Sequence, residues 1–128
     1  MELQTRQRTA IRAVLERAAR PLSAREILTE AQADVPALGN ATVYRTLKGL
    51  VAEGLVHPVD IPGEPPRYEI AGRGHHHHFH CEDCGRVFNV QGCPGDLQAL
   101  APRGFQLSAH EIFLYGRCVD CRRPRRRR

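Results

Sequence analysis

Four of the five cysteines fall into two Cys-x-x-Cys pairs, Cys81 with Cys84 and Cys118 with Cys121, and five of the seven histidines crowd into His75 to His80. Each cysteine pair can grip one metal through a tight turn, and the two pairs together supply four thiolates. That donor set suits a tetrahedral structural zinc closed to solvent. A redox-active dithiol is the competing chemistry, but no thioredoxin-like context surrounds either pair. A strand sends alternate side chains to opposite faces. In the stretch HHHHFHCEDCG, His75 and His77 therefore face one way, and His76, His78 and His80 the other. One strand can thus serve two further metal sites, with Glu69, Asp96, His110 and Glu111 within plausible reach. A surface histidine tract without function is disfavoured, because the run is internal and leads straight into the first cysteine pair. Cys93 is left over, and its position in a Gly-rich turn suggests a small buried or turn residue ahead of a sensor thiol or an extra ligand.

These residues need elements to hold them. A chain of 128 residues makes one ordinary domain or two small ones. A domain of about 60 residues usually needs a metal or a partner subunit for stability. No 18-residue apolar run and no leader-like apolar segment occur, so a cytoplasmic protein with no membrane span is expected. The net charge of +5 is concentrated at the C-terminus: without Arg122, Arg123 and Arg125 to Arg128, 13 basic residues face 14 acidic ones. That tail, residues 122–128, is either a solvated end or an arm that touches phosphate.

In the first half, residues 5–19 read as a helix capped by Thr5, with Ala10, Ile11, Val14, Leu15 and Ala18 as its apolar stripe. Pro21 stops it. Ser23 and Glu26 form a capping box, which starts a second helix at Ala24. Asn40 is the expected cap of a third helix, NATVYRTLKGLVAEG, with Val43, Leu47, Leu50 and Val51 inward and Gly54 as its stop. Two short strands, LVHPVDI and PRYEI, then flank a Pro/Gly turn. Three helices and a hairpin make a winged helix-turn-helix, in which the third helix is sized for a major groove. Tyr44, Arg45, Thr42, Thr46 and Lys48 would face DNA, with Arg8 of the first helix as a further phosphate candidate. A generic helical scaffold would show the same stripes, with Tyr44 at the edge of its core.

The second half reads as strands around the CEDC knuckle, with Val87, Phe88 and Val90 in the second. A short helix, Asp96 to Ala101, has Leu97 and Leu100 inward. A β-rich segment, FQLSAHEIFLYG, shows a change of parity near His110 that suggests a bulge.

The stretches NATVYRTLKGLVAEGLV, HHHHFHCEDCG and AHEIFLYGRCVDC, in that order, resemble the ferric uptake regulator superfamily over about residues 5–121. The resemblance implies an α/β two-domain chain: a winged-helix DNA-binding domain (1–71), a hinge (72–74) and a small α+β metal-binding dimerisation domain (75–121). It implies a homodimeric, metal-dependent repressor of metal uptake genes that reads an AT-rich palindrome in double-stranded DNA, with no enzymatic activity and no small-molecule substrate. Tyr44 and Arg45 match the recognition-helix pair, and the four paired cysteines match the structural zinc site. The hinge sensor set carries over to Glu69, His76 and His78, with His57 (or Asp60) as the fourth ligand. An accessory set carries over to His75, His77, Asp96 and His110, with no role for His80.

The match is incomplete. Pro21 stands where one sensor ligand is expected, and Ala71 where zinc-type members have a cysteine. Asn89 replaces the aspartate of peroxide sensors. The histidine-rich sites resemble zinc uptake regulators best, with Zn2+ as both structural and regulatory ion. Fe2+ or Mn2+ is the alternative regulatory ion, and a metal-storage or chaperone protein the alternative of another class.

Overall fold

In the computed structural model, which describes residues 2–123, the chain divides into two compact units, with the division between Arg73 and Gly74. No described helix is long and apolar enough to cross a membrane.

The first unit is built on three helices. Helix α1 (Glu2–Arg17) starts earlier than Thr5 and ends two residues earlier than expected; it buries Ala10, Ile11, Val14 and Leu15 of the expected stripe, while Ala18 lies past its end, half-buried against the same core. Helix α2 (Ala24–Ala31) opens with the capping box: Glu26 N–H donates to Ser23 Oγ at 3.1 Å, and Ser23 N–H donates to Glu26 Oε1 at 3.0 Å. Arg20 pairs with the other Glu26 oxygen and, against the effect of burial, helps hold that carboxyl below its usual range.

Helix α3 (Asn40–Ala52) buries Val43, Leu47 and Leu50. Its N-cap is the extended Gly39 without a side-chain cap bond, so Asn40 is the first helical residue and not the cap. Gly54, at φ 77°, ends the helix: its N–H reaches the Val51 carbonyl, and Leu55 N–H reaches that of Leu50, both at 3.0 Å. This is a Schellman closure, which requires the left-handed conformation glycine adopts without strain. Each large side chain buried in this core is worth about 1.5–3 kcal/mol of transfer free energy.

Strands β2 (Val56–Val59) and β3 (Arg67–Ile70) form the hairpin wing. A two-residue strand not foreseen from sequence, β1 (Leu22–Ser23), joins the other edge of β3 and gives an antiparallel sheet ordered β1-β3-β2.

The second unit centres on β4 (His77–Cys81), flanked by antiparallel β5 (Val87–Val90) and parallel β6 (Phe113–Gly116). Its own apolar core is very small: beyond Cys81 and Cys118, Val87 is its one buried hydrophobic residue among those described. Leu100, Phe105, Leu107, Leu114, Tyr115 and Val119 are exposed. Two expectations are corrected here. The helix after Gly95 is a single 3-10 turn, Gln98–Leu100, and Leu100 points outward at 79% exposure. Of the FQLSAHEIFLYG segment, only Phe113–Gly116 is a strand. The alternation at Phe105, Leu107 and Ala109 finds no strand beside it among the described residues, so nothing there recruits it into a sheet.

Candidate metal centres and nucleic-acid interface

Cys81 ends β4, and Cys84 closes the turn that follows, where Gly85 at φ 77° lets its N–H return to the Cys81 carbonyl at 2.9 Å. Cys118 and Cys121 sit at the start and within α4 (Val119–Arg122), immediately after β6. The parallel register of β4 with β6 places Cys81 opposite Gly116, which delivers the second pair to the first. All four sulfurs lie within 4.8 Å of one another, and Cys84 Sγ is 3.8 Å from Cys118 Sγ. A tetrahedral zinc with Zn–S bonds of about 2.3 Å separates its sulfurs by roughly 3.8 Å, so the donors fit that ion. The site is less enclosed than expected, since Cys84 is exposed while Cys81 and Cys118 are buried.

The electrostatics also call for a cation. Cys81 Sγ accepts the N–H of Cys84 at 3.5 Å and of Cys118 at 3.3 Å, and these bonds pull its thiol down to about 6. Cys121 is pushed the other way, to about 12, by its hydrogen bond to Cys118 and by burial. The cluster therefore keeps a proton that a dication would displace. Arg86 was not singled out from sequence. Its Nε donates to Cys84 Sγ at 3.3 Å, and one terminal nitrogen reaches Cys118 Sγ at 3.8 Å and Asp120 at 3.3 Å. Burial raises the Cys84 pKa, but the Arg86 bond helps bring the net shift downward. A four-thiolate zinc carries excess negative charge that a guanidinium offsets. Arg86→Met is therefore expected to speed zinc transfer from the four-cysteine site to a chelator about tenfold while that site still fills with one zinc; an unchanged transfer rate would count against this role.

The histidines divide between the faces as alternation requires. His76 and His78 have ring centroids 4.9 Å apart on one side, and His75 and His77 4.5 Å apart on the other. His76 Nδ1 donates to the Gly74 carbonyl at 2.9 Å, which leaves Nε2 with the lone pair a metal needs. His78 stacks on Phe113, and His80 meets Tyr115 edge-on. In the first unit, His57 and Glu69 are directly opposed across β2 and β3; His57 is exposed and Glu69 buried.

The accessory set requires a correction. His75, His77 and His110 converge, but the fourth group beside them is Cys93, not Asp96. The Asp96 carboxylate instead accepts the Gln98 N–H at 2.9 Å, two residues on. Cys93 Sγ lies 3.5 Å from His75 Nε2, 3.3 Å from His110 Nε2 and 3.4 Å from His77 Nε2. His77 is buried, and burial together with the neighbouring histidines disfavours its protonated form. Cys93, expected to be a small buried or turn residue, is exposed in the irregular segment after β5.

On α3, Tyr44, Arg45 and Lys48 are exposed, with Arg45 and Lys48 turned away from Val43, Leu47 and Leu50, and Thr42 and Thr46 are half-buried on its flank. Tyr44, at 55% exposure, is not a core-edge residue. Arg45 donates to Thr42 Oγ1 at 3.2 Å, which steadies a guanidinium that has no carboxylate partner among the described contacts. Arg8 differs: Glu53 grips it with two bonds of 2.6 and 2.9 Å, so its charge is already answered within the unit. Of the basic tail, residues 124–128 lie outside the described residues.

Comparison with known proteins agrees with this architecture. Residues 3–115 match the ferric uptake regulator family model. The chain is 37% identical over 87 residues to the ferric uptake regulation protein of Campylobacter jejuni, covering 66% of this chain and 55% of that protein. The chain spans about 55–61% of the length of the first curated relatives it matches. Among solved structures, the ferric uptake regulator of Helicobacter pylori, described as having three functional metal-binding sites, superposes with a TM-score of 0.75 at 25% identity, over 92% of this chain and 81% of that one. FurB of M. tuberculosis, described as a zinc uptake regulator, gives 0.53 at 34% identity, over 93% and 95%. With the family model covering the whole winged helix and the second unit as far as residue 115, the chain belongs to the ferric uptake regulator family.

Proposed function

We propose that this chain is a metal-responsive DNA-binding repressor of metal uptake genes, acting in the cytoplasm as a homodimer, with zinc as its regulatory ion as well as its structural one. The donor chemistry carries the choice of zinc: three of the four proposed regulatory ligands, His57, His76 and His78, are imidazoles, and Glu69 is the one carboxylate. Such sets favour zinc over manganese and magnesium. The 34% identity to a protein described as a zinc uptake regulator supports the same choice. Glu69 and the relatives named for iron and manganese favour the alternative, a repressor that responds to Fe2+ or Mn2+.

The exposed α3 face with Tyr44 and Arg45 would read an AT-rich palindrome, with Thr42, Thr46 and Lys48 on its flanks. Arg8, gripped by Glu53, is left out of that interface. The uncovered apolar residues of the second unit, Phe105 and Leu114 among them, fit a surface buried by a second copy. His57, Glu69, His76 and His78 would share the regulatory metal. Binding it would restrict the two reading heads before DNA arrives, so their ordering entropy is not charged to the DNA-binding step.

The test is a mobility-shift titration of the protein, structural zinc in place, against its operator under buffered free zinc, iron(II) and manganese(II). Zinc-enhanced, sequence-specific binding is expected. No metal enhancement would sink the repressor reading, and enhancement by manganese or iron(II) alone would sink the zinc assignment.

A further inference from the structure

The hinge is held at two points inside the first unit. Ala71 N–H donates to the Leu55 carbonyl at 3.0 Å, the last main-chain bond the wing makes to the departing chain among those described. Two residues on, a terminal guanidinium nitrogen of Arg73 donates to the Ala18 carbonyl at 2.7 Å. Both residues belong to the first unit, and the division between units falls immediately after Arg73.

Ala18 is the residue just past α1. Its N–H still closes a helical bond to the Val14 carbonyl at 3.1 Å. Its own carbonyl is among those that a helix end leaves without an intrahelical donor. The end of this 16-residue helix also carries partial negative charge, which a guanidinium answers. The bond is charge-assisted and part-buried, so it holds better than a contact between exposed side chains.

Glycines frame the contact. Gly72 has φ 89° and Gly74 φ 75°, a left-handed conformation that glycine adopts without the steric cost other residues meet. A Cβ at either position would meet nothing within 4 Å, so the path of the chain requires these glycines and the space around them does not. They let the chain leave Ala71, present Arg73 to the end of α1 and turn again before His75. The Gly74 carbonyl then accepts the Nδ1–H of His76 at 2.9 Å. The residue that follows the Arg73 contact therefore also orients the ring of His76.

We infer that Arg73 is a positioning residue for the regulatory metal: it anchors the hinge on the end of α1 and leaves only Gly74 and His75 between fixed chain and His76. This rests on the proposed regulatory set, in which His57 and Glu69 precede the hinge and His76 and His78 follow it. Without the anchor, the last fixed point is Ala71, and the free segment grows from two residues to four, Gly72 to His75. The effective concentration of one pair of ligands at the other falls roughly as the −3/2 power of tether length, so doubling the tether lowers it about threefold.

The test uses the full chain with zinc in the four-cysteine site and no other metal. Backbone relaxation should give order parameters of about 0.85 for the Arg73 and Gly74 amides, the value of rigid backbone, and below about 0.6 in Arg73→Met. Zinc is then titrated under buffered free-metal conditions and followed at the ring signals of His76 and His78, so that metal on the opposite face of β4 is not counted. Arg73→Met should bind it about threefold more weakly. Arg73→Lys keeps a cationic donor and should recover most of that loss. Low order parameters at Arg73 in the wild-type chain, an unchanged zinc affinity in Arg73→Met, or a lysine no better than methionine would each overturn the anchor while the regulatory set stands. Ring signals of His76 and His78 that zinc leaves unmoved in the wild-type chain would be the separate failure: the regulatory set itself would fall, and its positioning by Arg73 with it.

Discussion

A chain carrying Cys81→Ser is expected to lose its structural zinc and, with it, the folded sheet of the second unit, while the first unit keeps its three helices. The two units draw on different sources of stability. The first has a contiguous core from Ala10 to Val56. The second buries Val87, Cys81 and Cys118 and little else that is apolar. A structural zinc is worth about 10–16 kcal/mol in small domains whose folding it drives, far more than that core can supply. Cys81 is the most consequential of the four thiols, because it ends β4 and takes two backbone N–H bonds that a serine hydroxyl, shorter and a weak metal ligand, cannot replace. Hydrogen exchange on the full-length variant checks this: amides of β4, β5 and β6 should lose protection while those of α1 and α3 retain it. Retained protection in the sheet after zinc removal would show that the metal is not what holds it.

Acid should act on the wild-type protein in the same direction. At neutral pH zinc must displace the proton that Cys121 retains up to about 12, whereas Cys81, with its thiol at about 6, is already ionised. Zinc affinity therefore falls as pH falls, and more steeply below about 6, where Cys81 also takes up a proton.

The first unit was legible in the sequence because its information is local. The apolar stripe of α1, the Ser23 and Glu26 box and the Gly54 stop each act within a few residues, and each is found where expected. What escaped there was β1, too short to carry a pattern; its strand character comes from pairing with Tyr68 and Arg67. In the second unit, the two Cys-x-x-Cys pairs were legible because spacing alone dictates their chemistry. The division of histidines between two faces followed from strand alternation.

Cys93, not Asp96, stands beside His75 and His110, and this was not legible for a different reason. Both follow β5 by a few residues, and only the register of three strands decides which side chain arrives beside His75 and His110. Local sequence does carry one hint: an aspartate side chain readily accepts the backbone N–H two residues on, as Asp96 does from Gln98. Phe105 and Leu107 show the opposite limit. Their alternation records a need for burial, and among the described residues nothing meets that need.

His76→Ala is expected to abolish the metal enhancement of operator binding while leaving zinc in the four-cysteine site and the winged helix folded. His76 lies on the face of β4 opposite the Cys93 cluster, and its Nδ1–H is committed to the Gly74 carbonyl, so its Nε2 is set up as a ligand. It is not among the buried residues of either unit, so alanine opens no cavity. Metal and DNA are linked through one coupling free energy, typically 1–3 kcal/mol, which corresponds to about 5–150-fold in affinity. Removing a regulatory ligand should collapse that factor toward one, with affinity for nonspecific DNA unchanged, since that depends on phosphate contacts made by the first unit. The reciprocal measurement is stricter. In the wild-type chain, operator DNA must tighten regulatory metal binding by the same factor by which metal tightens DNA, and in His76→Ala both factors should vanish together. A variant that loses one and keeps the other would place His76 outside the linkage and return the regulatory role to the opposite face of the strand.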